Sequence, residues 1–197
     1  MAKRYIDFVC SMSGLILLSP LFLLIAILIK LCSFNGPIFF KQDRVGLNKK
    51  KFKCYKFRTM KPNADAQLHQ QHVENLIKSN SKMKKLKRDP RVIPIIGTFL
   101  RKTSLDELPQ LINVLKGEMS IVGPRPCLPY EAKYYDDERF KVLPGITGLW
   151  QVSGKNETTF DEMLKLDLQY VNRQSILFDC TIMLKTIPTV VANAIRR

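Results

Sequence analysis

At 197 residues the chain holds one core, or one core plus an anchor, and is too short for two ordinary domains. Lysine and arginine number 32 against 17 aspartate and glutamate, and the resulting +15 calls for an acidic partner: nucleic acid, anionic lipid or a phosphorylated substrate. No recognised nucleic-acid module is present, which argues against the first partner, and the five cysteines (Cys10, Cys32, Cys54, Cys127, Cys180) lack paired metal-ligand spacing and read as reduced thiols.

The chain opens on an apolar run, Phe8 to Ile29, of 22 residues without a formal charge. About 20 apolar residues cross a bilayer. No small-residue cleavage site follows, so the segment reads as a retained anchor rather than a signal peptide. Lys3 and Arg4 precede it and Lys30, Lys41 and Arg44 follow it, which leaves no positive-inside asymmetry. Ser19 and Pro20 interrupt its middle. A proline inside a helix removes one hydrogen bond and clashes with the preceding turn, at a cost of about 3 kcal/mol. The Ser19 hydroxyl is the nearest donor for a carbonyl so freed. Two geometries stay open on these grounds: a kinked spanning helix, or a bent helix that re-emerges on the face it entered. Asp7 is expected at the headgroup level under either.

After Gly36 and Pro37, Ile38 to Gln42 and Lys51 to Arg58 read as two short strands joined through Gly46, Leu47 and Asn48. Lys56 and Arg58, two apart, then share one strand face. Residues Asn63 to Asn80 are polar and helix-prone and lead into a basic cluster at Lys82, Lys84, Lys85, Lys87 and Arg88. This part reads as a solvated insertion spanning 61–94. His69 and His72 lack a third metal ligand and are expected on an exposed helix face. From Ile95 follow a short apolar helix ending at Arg101 and a second with Leu108, Leu111, Ile112 and Leu115, closed by Gly117. Then come an apolar stretch (Met119 to Val122), the turn Gly123 to Pro126, and a loop from Pro144 to Gly148. Phe160 to Val171 and Ser175 to Ile195 read as helices packed on the core. Alternatively Ile176, Leu177, Phe178 and Met183 lie in a bilayer interface, with Arg173, Lys185, Arg196 and Arg197 at lipid phosphates. The whole is α+β and mainly helical: an anchor over 1–35 and a catalytic domain over 36–197.

The stretch from Ser104 to Gln110 concentrates the chemistry. Ser104 and Glu107 have capping-box spacing, and acids in a first turn complement the helix dipole. Pro109 is comfortable only in a first turn, so the helix is expected to begin at or just before Asp106, itself a candidate cap. A carboxylate held ionised by backbone N–H groups also meets the needs of a nucleophile. Capping and catalysis both remain open at this point. Cations accompany the pair: Arg101 five residues earlier, and Arg125 between two prolines, whose forked donors match phosphate oxygens. Glu107 is a candidate for Mg2+, which typically binds one or two carboxylates plus substrate phosphate oxygens.

The Ser19–Pro20 break, RVGLNKKKFKCYKFRTM, RKTSLDELPQLINVLKGEMSIVGPRP and LPGITGLWQVSGKN together resemble the bacterial sugar transferases, the monotopic polyprenyl-phosphate phosphoglycosyl transferases, over nearly the whole chain. The resemblance implies a re-entrant helix with the catalytic domain on the cytoplasmic face of the bacterial inner membrane. It implies that Asp106 attacks the β-phosphate of a UDP-sugar, expels UMP and forms a phosphosugar intermediate, which polyprenyl phosphate then takes up to begin a surface glycan. It further implies that Glu107 meets Mg2+ and that Arg101, Arg125 and Arg58 lie near the bound phosphates; Asp106, beside Glu107, is expected to share the metal, and Lys56, on the strand face of Arg58, to share the phosphates. The 61–94 insertion and TTFDEMLKLDLQYV look like members that transfer hexose 1-phosphates, galactose or glucose. Without a large N-terminal extension, the chain resembles an isolated catalytic domain. Inner-membrane lipid is the further partner, and homo-oligomerisation is left open.

Two rivals stand beside this. An anchored inverting glycosyltransferase would use Asp136 and Asp137, or Asp161 and Glu162, and release UDP. A basic membrane adaptor would turn over no nucleotide. Trp150 suits uracil stacking, the interface or the core.

Overall fold

Pro20 has no N–H for the Ile16 carbonyl, and the chain breaks where that donor is missing. Helix α1 (Ala2–Leu17) and helix α2 (Ser19–Cys32) meet at 60°, and the Ser19 hydroxyl donates to the Ile16 carbonyl at 2.8 Å. No single described helix is long and apolar enough to cross a membrane; the bent pair passes that test together, by length and composition. The computed structural model describes residues 2–33, 36–61, 66–84, 89–154 and 157–196, without the side chains of Ala66, Leu68, His69, Asn193 and Arg196. Lys85, Lys87, Arg88 and Arg197, and the side chains of His69 and Arg196, therefore lie outside the described residues.

The two expected strands form an antiparallel hairpin of β1 (Phe39–Val45) and β2 (Lys51–Phe57), in which Phe39 pairs with Phe57 and Val45 with Lys51. Asn48 and Lys49 take positive φ in the connecting turn. The insertion closes at its base, where Met60 bridges Val92 and the Ile93 N–H meets the Thr59 carbonyl. Its helix α3 (Ala66–Lys78) is not simply solvated. Val73 is buried, and Ile77 and Met83 pack against a cluster that contains Trp150, Phe160 and Met163.

Helices α4 (Ile96–Thr103) and α5 (Gln110–Lys116) follow, the latter stopped by Gly117 at φ 81°, whose N–H returns to the Asn113 and Val114 carbonyls. Next come β3 (Ser120–Val122), β4 (Gly145–Thr147) and the short helix α6 (Leu149–Val152). The segment Pro144 to Gly148, expected as a loop, contains a strand that pairs in parallel with β3. Such pairing joins residues distant in sequence, so no local pattern announces it. Helices α7 (Phe160–Arg173) and α8 (Ile176–Arg196) match the expected C-terminal pair.

Both arms of the bent pair return to this same body. Arg4 donates to the Val114 and Leu115 carbonyls at the end of α5, at 2.5 and 2.9 Å, where helix carbonyls lack internal partners. Lys3 pairs with Asp179 and reaches the Val122 carbonyl. Asp7 is buried rather than presented to headgroups, and it accepts from the Ser120 hydroxyl and the Ile121 N–H. At the other end, Ile25 and Ile29 of α2 join Phe57, Ile93, Ile96 and Leu100 in one cluster. The C-terminal apolar residues divide: Phe178 and Met183 pack on Val122, Tyr170 and Ile182, while Ile176, Leu177, Leu184, Ile187 and Val191 face outward.

Candidate active site

The acidic pair stands on a turn closed by backbone bonds between near neighbours. Ser104 adopts φ 59°, ψ 14° and reverses the chain after α4; Leu105 to Glu107 then form a 3-10 turn. The ladder continues from the Leu108 N–H to the Leu105 carbonyl and from the Ile112 N–H to the Pro109 carbonyl, leading into α5. The expected capping box does not form, and Asp106 does not cap α5, which follows Pro109. A capping side chain needs an extended backbone, whereas Ser104 is committed to the left-handed reversal. Pro109 does sit at the helix entrance, as its missing N–H requires. Leu105 and Leu108 turn inward against the Phe57 cluster, which fixes the orientation of the turn.

Lys56 of β2 meets this turn, with its ammonium 2.7 Å from Glu107 Oε1. Burial alone would depress the lysine, but the carboxylates of Glu107 and Asp106 outweigh it and hold Lys56 above the ordinary value. Lys56 therefore stays cationic at neutral pH, with both acids close by.

Arg125 arrives from the opposite side on the turn Gly123, Pro124, Arg125, Pro126. That turn is fastened to β4 through the Gly145 N–H to the Pro124 carbonyl and the Gly123 N–H to the Thr147 carbonyl, both 2.9 Å. The backbones touch so closely that a Cβ on Gly145 would lie 2.0 Å from the Gly123 nitrogen. Only glycine permits this approach. Lys56, Glu107 and Arg125 thus line one cleft of about 360 Å³, including open solvent, together with Arg44, Gln110 and Gln151. Arg44 is buried, and its guanidinium donates to the Pro126 carbonyl and to Gln42. Burial and the neighbouring Arg125 both lower its pKa.

The other expected cations go elsewhere. The Arg58 guanidinium is buried against the end of α2, donating to the Ser33 carbonyl and hydroxyl, and Arg58 lies one residue beyond β2 rather than beside Lys56 on its face. Arg101 lies 3.9 Å from Asp89, which Arg91 grips through two 2.8 Å bonds. Neither lines the cleft. Sequence reasoning missed Arg44, Gln110 and Gln151 as cleft residues. The one signal for Gln110 was a polar residue inside an apolar helical pattern, and it is 3% exposed.

Among the described residues no group of three or more His, Cys, Asp or Glu is poised to hold a metal. The acids of the rival enzyme have structural duties: Asp136 accepts from the Glu138 N–H, Asp137 pairs with Lys49, Asp161 bonds Asn80, and Glu162 completes a capping box with Thr159. Trp150 belongs to the core, 4% exposed, its indole donating to the Thr158 hydroxyl.

A family model described as bacterial sugar transferase matches residues 1–193. The exopolysaccharide production protein ExoY of Sinorhizobium fredii is 45% identical, the match covering 96% of this chain and 85% of the relative. The undecaprenyl-phosphate galactose phosphotransferase of Salmonella typhimurium is 45% identical over 93% of this chain and 39% of its own length. The UDP-glucose:undecaprenyl-phosphate glucose-1-phosphate transferase of Escherichia coli is 41% identical over 94% of this chain and 39% of its own. A match over almost every residue, including the acidic turn and the arginine turn, places this chain in the bacterial sugar transferase family.

Proposed function

We propose that this transferase moves a sugar 1-phosphate, galactose or glucose 1-phosphate being the favoured cargo, from a UDP-sugar to polyprenyl phosphate, with Asp106 as nucleophile and UMP as leaving group. The observation that carries the reading is one cleft lined by Glu107, the neighbour of Asp106 on the acidic turn, together with Lys56, Arg44 and Arg125, with Lys56 in the field of both acids. Relatives named for UDP-glucose, galactose and undecaprenyl phosphate supply the substrate class.

In the first step an Asp106 carboxylate oxygen bonds to the sugar-bearing phosphorus, the bond to the bridging oxygen breaks, and UMP departs with that electron pair. In the second, an oxygen of polyprenyl phosphate attacks the same phosphorus and the Asp106 carboxylate is released. Two anions must meet in each step, so fixed cations are needed. Lys56 and Arg125, held by the protein before substrate arrives, offset the developing charge without reorganisation. Arg44 adds a third charge and fixes the Pro126 carbonyl behind the turn. Adjacent carboxylates without a full protein cage suit Mg2+, which takes one or two carboxylates and leaves other positions to phosphate oxygens. Asp106 and Glu107 would hold it, and its charge would help neutralise the diphosphate. Arg101, about a quarter exposed beside Asp89, would act at the cleft margin or on lipid phosphate, whereas Arg58 is buried against Ser33 and is left a structural part.

The bent pair fits a re-entrant anchor, because its two ends are bonded to one body and so emerge on one side. We assign that side to the cytoplasmic face of the inner membrane, where nucleotide sugars are soluble.

The test is the nucleotide released when purified protein, Mg2+, polyprenyl phosphate and a panel of UDP-sugars are mixed. UMP is expected. UDP would instead favour an inverting glycosyltransferase. A requirement for both substrates in one ternary complex before any UMP appears would remove the covalent intermediate.

A further inference from the structure

Three charged side chains behind the arginine turn have no part in the reaction as described, yet all are buried: Glu131 at 1% exposure, Arg139 at 4% and Asp167 at 1%. Buried charges are costly, and apolar replacements of similar volume are often neutral or stabilising. Their positions all lead to one residue. Glu131 Oε2 is fixed by the Leu128 N–H at 2.8 Å and lies 3.4 Å from the Arg125 guanidinium. Arg139 lies over the Tyr135 ring at 4.0 Å, donates through Nε to Asp167 at 2.8 Å, and directs its other arm to the Arg125 carbonyl.

We propose that Glu131 and the Asp167–Arg139 pair are positioning residues that hold Arg125 toward the cleft, Glu131 acting on its guanidinium and Arg139 on its backbone. The proposal rests on the reading of Arg125 as a ligand of the substrate phosphates. The division of labour is visible in the distances. Short bonds fix the backbone, while the 3.4 Å contact to Glu131 orients the guanidinium and leaves about a quarter of the side chain exposed for an incoming anion. Burial alone would push the Glu131 carboxyl up, but Arg125, Arg44 and the Leu128 N–H outweigh it and keep it ionised. A neutral glutamine of the same shape would lose that orienting charge.

The experiment is a double-mutant cycle on the full chain with Glu131→Gln and Arg125→Gln, following UMP release against UDP-sugar concentration, with melting temperatures measured in parallel. Glu131→Gln is expected to lower kcat/KM by about tenfold to a hundredfold in the native background and by less than about twofold when Arg125 is already glutamine. A general structural defect would multiply the loss in both backgrounds, and that result would overturn the proposal. So would native-like kcat/KM in Glu131→Gln. If Arg125→Gln itself turns over at the native rate, the phosphate reading of Arg125 fails, and the positioning claim falls with it. Should Glu131→Gln fail to fold, Asp167→Asn enters the same cycle and the same two outcomes decide.

Discussion

Asp106 and Glu107 stand on a turn made within one short stretch, from Ser104 into α5, whereas Arg125 stands on a turn assembled from β3, β4, the Arg139 segment and α7. The first is held by backbone bonds between near neighbours, by Leu105 and Leu108 packed inward, and by contact with Lys56. The second is held by touching glycine backbones and a buried ion pair. The difference suits the two tasks proposed for them. A carboxylate that forms and breaks a bond needs approach room, whereas a cation that stabilises a fleeting charge gains most from being fixed beforehand.

Substitutions on the two turns should therefore fail differently. Asp106→Asn keeps the shape of the acidic turn, so UMP release should fall by about 10³-fold or more, roughly 4 kcal/mol in barrier, with the melting temperature unchanged. Substantial residual turnover would remove Asp106 as nucleophile. Gly145→Ala strikes the arginine turn through packing, because the new Cβ meets the Gly123 backbone. A stability loss of about 3 kcal/mol is expected, read by denaturant or thermal unfolding. Near-native stability would show that the glycine contact is dispensable. The smallest effect is predicted at Ser104, whose left-handed backbone favours glycine: Ser104→Gly should stabilise by up to about 1 kcal/mol and leave turnover intact. Destabilisation would mean that the serine side chain supports the turn after all.

The pH dependence follows the same division. Asp89 and Glu131 have depressed pKa values in the folded chain, chiefly from Arg91 for the first and from Arg125 and Arg44, against opposing burial, for the second. Their stabilisation is present above the ordinary carboxylate range and is lost as pH falls through the lowered values.

Much of this was legible in the linear chain because it depends on near neighbours. The break at Ser19 and Pro20, the hairpin, the Gly117 stop and the two C-terminal helices follow from backbone chemistry within a few residues. The adjacent acids are legible for the same reason, although the capping box expected there does not form: SxxE spacing does not reveal that Ser104 turns left-handed. Of the expected cations, Lys56 and Arg125 line the cleft, whereas Arg58 and Arg101, equally basic and equally near a motif, point to Ser33 and Asp89.

By itself, then, the sequence determined the β1–β2 hairpin and the longer helices, where the N-terminal helix pair bends, and which short stretch carries adjacent carboxylates, since each rests on local propensity, a missing N–H or plain residue identity. Only the tertiary structure decided which cations face those carboxylates. It also joined β3 to β4, set Glu131 and Asp167 behind Arg125, and returned both ends of the bent helix pair to one body. These are meetings of residues far apart in sequence, governed by burial and backbone contact that no local pattern encodes.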